Sequence, residues 1–259
     1  MSLAMLKCFG GSEATEAKAL PHSSPLMLGT EVPNFRAETT TGEIDFHDYI
    51  QDSWAILFSH PDDFTPVCTT ELATAALLMP EFEKRGVKVL ALSVNSTESH
   101  EAWGKDVLAV AQLEGKELPY PIIADTERRV ATLYNMMEQG APMDKPTLTC
   151  RGVFVIGPDK ALRMQVLYPA STGRDFAEII RVIDSLQRTA VHKVATPVNW
   201  RPGKDVMVLP SVSDEEAATM FEKVQVTEVP SGKKYLRQTP DPAGPVVASA
   251  KKKDECTIS

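Results

Sequence analysis

The segment Pro61-Asp62-Asp63-Phe64-Thr65-Pro66-Val67-Cys68 sets a thiol at the head of a helix. Thr65 followed by Pro66 predicts an N-cap and a first helical residue, because proline lacks only the N–H that the first turn leaves unused. Cys68 then falls in that turn, where unpaired backbone N–H groups and the positive end of the helix dipole favour thiolate over thiol. Ionisation by itself adds little rate. Lowering a thiol pKa from ~8.5 to ~6 raises the thiolate fraction at neutral pH roughly thirtyfold. At a Brønsted slope of ~0.45, the weaker nucleophile gives back about tenfold. Fast chemistry therefore needs groups that orient an electrophile and stabilise developing charge, where one well-placed donor contributes ~3–4 kcal/mol. A threonine hydroxyl and an arginine guanidinium are suitable donors.

The elements that must position this thiol read as alternating strands and helices. Trp54-Ala55-Ile56-Leu57-Phe58 and the run from Val87 to Val94 predict buried strands, with helical patterns near 66–85 and 97–114 after them. Pro121-Ile122-Ile123 predicts a third short strand, followed by a helix from Thr126 to about Met136. The runs 151–156 and 162–168, joined by Gly157-Pro158-Asp159-Lys160, predict a hairpin. A helix from about Asp175 to Ala190 places Phe176, Ile179, Ile180, Ile183 and Leu186 on one stripe, which needs a sheet to cover. This is a layered α/β domain.

Charge and composition narrow the function. The 259 residues carry 27 Lys+Arg against 35 Asp+Glu, a net charge of −8 that argues against nucleic acid as a partner. No uncharged apolar run is long enough to span a bilayer, and residues 1–24 lack the apolar stretch of a secretory signal. The cysteines at 8, 68, 150 and 256 show no CxxC, which points to free thiols in a reducing compartment and hence to the cytoplasm. Residues 1–25 read as a flexible extension, 26–194 as the main domain, 195–240 as a small C-terminal α+β domain and 241–259 as a solvated tail. His22, His47, His60, His100 and His192 show no metal-ligand spacing, and no glycine-rich nucleotide loop is present.

Pro61-x-x-x-Thr65-x-x-Cys68 resembles the signature of the peroxiredoxin family, and the wider text from Ser59 to Glu71 resembles its one-cysteine branch. Gly157-Pro158-Asp159-Lys160, Leu167-Tyr168-Pro169-Ala170, Thr172-Gly173-Arg174, the run from Ala195 to Trp200 and that from Val206 to Pro210 resemble the same branch in the same order. The resemblance implies a thioredoxin-like fold, with a central mixed sheet flanked by helices. It implies a thiol-dependent peroxidase that reduces hydrogen peroxide and organic or lipid hydroperoxides through a sulfenic acid at Cys68. Thr65 would hydrogen-bond the peroxide and Pro61 would shield the sulfur from water. Arg151 would stabilise the thiolate and the leaving oxygen, Glu71 would orient that arginine, and His60 matches the branch's active-site histidine. A homodimer is also implied.

A sulfenic acid must meet another thiol. The late Val-Cys-Pro segment of two-cysteine relatives is absent here, and Cys150 reads as a buried strand residue. The expected co-substrate is therefore an external thiol, glutathione or similar, with no resident cofactor. The branch is also associated with a phospholipase A2-type activity, and Ser53, His47 and Asp159 occupy the matching positions. Yet Gln51-Asp52-Ser53-Trp54 lacks the flanking glycines of a nucleophile elbow. On the plainer reading Ser53 is a turn residue, His47 an amphipathic strand residue and Asp159 a hairpin-turn former. Cys256-Thr257-Ile258-Ser259 matches a prenylation pattern, with Lys251-Lys252-Lys253 upstream and Cys8 as a second acylation candidate. That pair predicts peripheral membrane contact through the tail. A redox-sensing interaction protein or holdase is the reading from a different class.

Overall fold

The computed structural model describes residues 25–113, 115–137 and 147–242. The chain opens with β1 (Arg36–Thr39), β2 (Gly42–Asp45) and α1 (Phe46–Ile50), then runs through β3 (Trp54–Ser59), α2 (Pro66–Leu77), α3 (Met79–Lys84) and β4 (Val87–Ser93). α4 (Thr97–Val110), β5 (Ile122–Ala124), α5 (Arg129–Leu133), β6 (Arg151–Ile156), β7 (Leu162–Tyr168) and α6 (Phe176–Val191) complete the main domain. A seven-stranded sheet has the order β2-β1-β5-β4-β3-β6-β7, with β3, β4 and β5 parallel and the other pairs antiparallel. This is the expected mixed sheet flanked by helices.

Both faces of the sheet are covered, so its central strands are continuous apolar runs. Trp54, Ile56 and Phe58 of β3 and Val153 and Val155 of β6 face a core built with α2, α4 and α6. The alternate residues Ala55, Leu57, Phe154 and Ile156 face a second core with Phe46, Ile50, Val130 and Ala131 from α1 and α5. Phe176, Ile179 and Ile183 of the α6 stripe are buried in the first core, each worth about 1.5–3 kcal/mol relative to exposure. Among the described residues no helix is long and apolar enough to cross a membrane.

The C-terminal unit is a four-stranded sheet, β10 (Gln225–Val226), β11 (Arg237–Thr239), β9 (Val206–Val208) and β8 (Val194–Ala195), with α7 (Asp214–Met220) beside it. Trp200, Val206, Val208, Val212 and Phe221 form its core. The acidic segment at Ser213 is a helix start: Ser213 and Glu216 form a reciprocal capping box on α7.

The structure corrects several boundaries. The pattern over 66–85 is two helices, because Pro80 cannot donate the N–H that would carry α2 onward, and a new helix starts from Leu78. The helix expected over 126–136 shrinks to α5, since Arg128 adopts a left-handed φ of 60°. Asp125 caps the helix from outside, accepting from Val130 N and Ala131 N. The β1–β2–α1 unit carries no clear periodicity in the sequence, and His47 lies in α1, not on the expected strand.

Candidate active site

α2 begins where the sequence places it, with Thr65 extended at the N-cap and Pro66 at the first helical position. The Thr65 side chain makes no cap bond. Its Oγ1 donates to Asp62 O at 2.9 Å, which leaves its lone pairs open to a donor. Cys68 lies in the first turn with no solvent exposure. β6 starts beside it, and Arg151 Nη1 donates to Cys68 Sγ at 3.3 Å and to Glu71 Oε2 at 2.7 Å. The rest of that guanidinium is held by Ala170 O, at 3.0 Å from Nε and 2.6 Å from Nη2.

Arg174 is the residue whose role the sequence did not reveal. It grips Glu71 through its backbone N at 2.7 Å, its Nε at 2.9 Å and its Nη2 at 2.8 Å. Its Nη1 donates to Ser59 O at 2.8 Å and Gly152 O at 2.7 Å, tying β3 to β6. Gly152 itself has no room for a side chain: a Cβ there would sit 2.9 Å from the Phe154 ring and 3.1 Å from Ser59 Oγ. In the sequence Arg174 stands out only as part of the Thr172-Gly173-Arg174 resemblance, just before the α6 N-cap Asp175, with no role attached.

Charge accounting explains the cluster. Burial alone would raise the Glu71 carboxyl, but the Arg174 and Arg151 bonds outweigh it and hold Glu71 below the usual carboxylate range. Two guanidiniums against one carboxylate leave one positive charge beside Sγ.

His60, fully buried, lies on the β3 side of the site. Its Nε2 is 2.8 Å from Asp63 Oδ1, and its ring centroid is 5.0 Å from that of Trp103, whose Nε1 donates to Thr69 Oγ1 next to the thiol. Asp63 and His100 are further residues without a role in the sequence reading. His60, Asp63 and His100 form a group of potential metal donors within 4.8 Å of one another, and they are already hydrogen-bonded together.

The second candidate set does not assemble this way. His47 Nε2 is 3.0 Å from Val32 O, and Asp159 is taken up by Ala161 N and Arg163. Among the described residues no hydrogen bond joins Ser53 to His47 or His47 to Asp159. Cys150 is buried at the head of β6, its N–H donating to Met136 O at 2.8 Å and its carbonyl accepting from Ser59 Oγ at 2.7 Å. Cys8, Cys256 and the lysine run lie outside the described residues.

Known proteins resemble this chain over most of its length. Residues 28–165 match the family model described as the AhpC/TSA family, and 185–223 match the C-terminal domain of 1-Cys peroxiredoxin. Peroxiredoxin-6 of Rattus norvegicus is 56% identical over 220 residues, covering 84% of this chain and 98% of that protein. The crystal structure of a cysteine-to-serine mutant of the peroxiredoxin 6 of Arenicola marina is 51% identical, with a TM-score of 0.82 over 85% of this chain and 100% of the other. A yeast mitochondrial 1-Cys peroxiredoxin, solved to address thiol resolution by glutathione/thioredoxin systems, is 47% identical, with a TM-score of 0.75 over 83% of this chain and 99% of the other.

Proposed function

The chain belongs to the peroxiredoxin family and is a thiol-dependent peroxidase, and from that premise we propose that Cys68 is its peroxidatic residue, served by Thr65, Pro61, Arg151 and Glu71. The observation that carries the assignment is the Arg151 guanidinium at 3.3 Å from a buried Sγ in the first turn of α2. The Cys68 thiolate attacks the nearer peroxide oxygen. The S–O bond forms as the O–O bond breaks, and the leaving alkoxide or hydroxide takes a proton to become alcohol or water. Arg151 stabilises charge on sulfur before attack and on the departing oxygen after it. Thr65, its hydroxyl proton committed to Asp62 O, accepts from the peroxide O–H. Pro61 keeps water from the sulfur.

The sulfenic acid is then released by an external thiol. The first thiol displaces water to give a mixed disulfide, and a second frees Cys68 as the external disulfide leaves. The buried, backbone-anchored position of Cys150 at the head of β6 supports an external resolver, and glutathione, one of the two thiol systems named for the yeast relative, is the candidate taken here. The family's tendency to pair, together with β7 standing last in the sheet order with Leu167 exposed, supports a homodimer.

Steady-state peroxide consumption with added glutathione tests this. Cys68→Ser should abolish turnover and Cys150→Ser should retain it. Turnover that survives the first change discards the assignment, and turnover lost in the second means an internal thiol resolves the sulfenic acid. A single stoichiometric burst in the parent protein, with no turnover, would favour a redox sensor.

A further inference from the structure

Asp63 lies two residues beyond Pro61 and is buried. Its Oδ1 receives His60 Nε2 at 2.8 Å, while its Oδ2 receives His100 Nδ1 at 2.8 Å and the Ser99 hydroxyl at 2.7 Å. His100, in α4, has its other nitrogen 3.2 Å from Ile123 O. A carboxylate and a carbonyl can only accept, so satisfying both requires a proton on each His100 nitrogen. His60 differs. One of its nitrogens faces an acceptor, and the other, Nδ1, is buried with no partner among the described residues. With the proton on Nε2, Nδ1 is a bare lone pair one residue from Pro61.

We propose that Asp63 and His100 are positioning residues of the peroxidase: they lock His60 as its Nε2–H tautomer, so that Nδ1 stands ready as a hydrogen-bond acceptor for a hydroxyl at the peroxidatic site. The proposal rests on the peroxidase reading. The hydroxyl is that of the incoming hydroperoxide or of the Cys68 sulfenic acid, and no proton leaves His60. The charged and titratable groups acting on His60 are Asp63, His100 and Arg174. Burial, with His100 and Arg174 adding to it, pushes the His60 imidazolium down and outweighs Asp63, which agrees with a neutral ring.

Nitrogen-resolved histidine NMR on the full chain reads the proton positions directly and needs no variant. The expected result is His60 protonated on Nε2 alone and His100 on both nitrogens. A proton on His60 Nδ1, or one equivalent of metal bound per chain at the three residues, overturns the proposal. The second arm is the nearly isosteric Asp63→Asn, whose amide can turn its donor toward His60 Nε2. It should shift His60 toward the other tautomer and slow Cys68 oxidation by hydrogen peroxide about tenfold, the scale of one lost hydrogen bond. In a His60→Gln background the same change should cost less than about twofold further, because Asp63 acts through His60. An equal loss in both backgrounds, or an unchanged rate for Asp63→Asn alone, makes Asp63 a purely structural residue.

Discussion

Two regions of this molecule carry residues of catalytic type, and they differ in what those residues touch. Around Cys68, Arg151 and Arg174 converge on Glu71, and Arg151 reaches the sulfur, so the functional groups are one another's partners. Around Ser53, the histidine is engaged by Val32 O and the aspartate by Arg163, so each side chain serves its own local segment. Residue types at suitable sequence positions are therefore not sufficient. A buried charge needs a partner, and where the available partners are other reactive groups, folding itself assembles a site.

The largest test of this difference is Glu71→Gln. It removes the carboxylate shared by two buried guanidiniums and should destabilise the fold by about 3–5 kcal/mol, read as a drop in denaturation midpoint. A loss below about 1 kcal/mol would show that water already solvates the cluster. Arg151→Met should follow, slowing peroxide oxidation of Cys68 by about 10²–10³ with the fold intact, because Arg174 still holds Glu71. Stopped-flow kinetics would measure it, and a rate within twofold of the parent would detach Arg151 from the chemistry.

Acid should weaken the Cys68 region selectively. The folded-state pKa values of Glu71, Asp63 and His60 are all depressed, so each contributes stability that is present above its unfolded value and lost as pH falls. For His60 the loss starts below about 6.5, and for the carboxylates below about 4. Chemical denaturation at stepped pH should show falling stability over this span, and a flat profile would contradict the assigned protonation states. Ser53→Ala stands at the small end, with stability within about 0.5 kcal/mol of the parent and peroxide turnover unchanged. A matching loss of phospholipid hydrolysis would give the second region a chemistry of its own.

What the sequence revealed follows the same division. Thr65, Pro66 and Cys68 were legible because a helix start is written in consecutive residues. The strands β3, β4, β6 and β7 were legible as apolar runs, since a sheet covered on both faces needs them. Arg151, Glu71 and His60 came only through resemblance to a family. Arg174 bonds a carboxylate 103 residues away, and His100 one 37 residues away, so their partners exist only once the chain has folded. The short β1, β2 and α1 carry too few residues for a period to emerge, which is why the local pattern around His47 reads as a strand where the chain forms a helix. The break at Leu78 was signalled by Pro80, which an otherwise helical pattern concealed.

The most direct test of the central assignment is a titration of the reduced protein with one equivalent of hydrogen peroxide, trapping the sulfenic acid and locating it by peptide mass spectrometry. A single oxygen on Cys68, with Cys150 unmodified, is the predicted result. Oxidation at Cys150 with Cys68 untouched, or no oxidation at either, would contradict it.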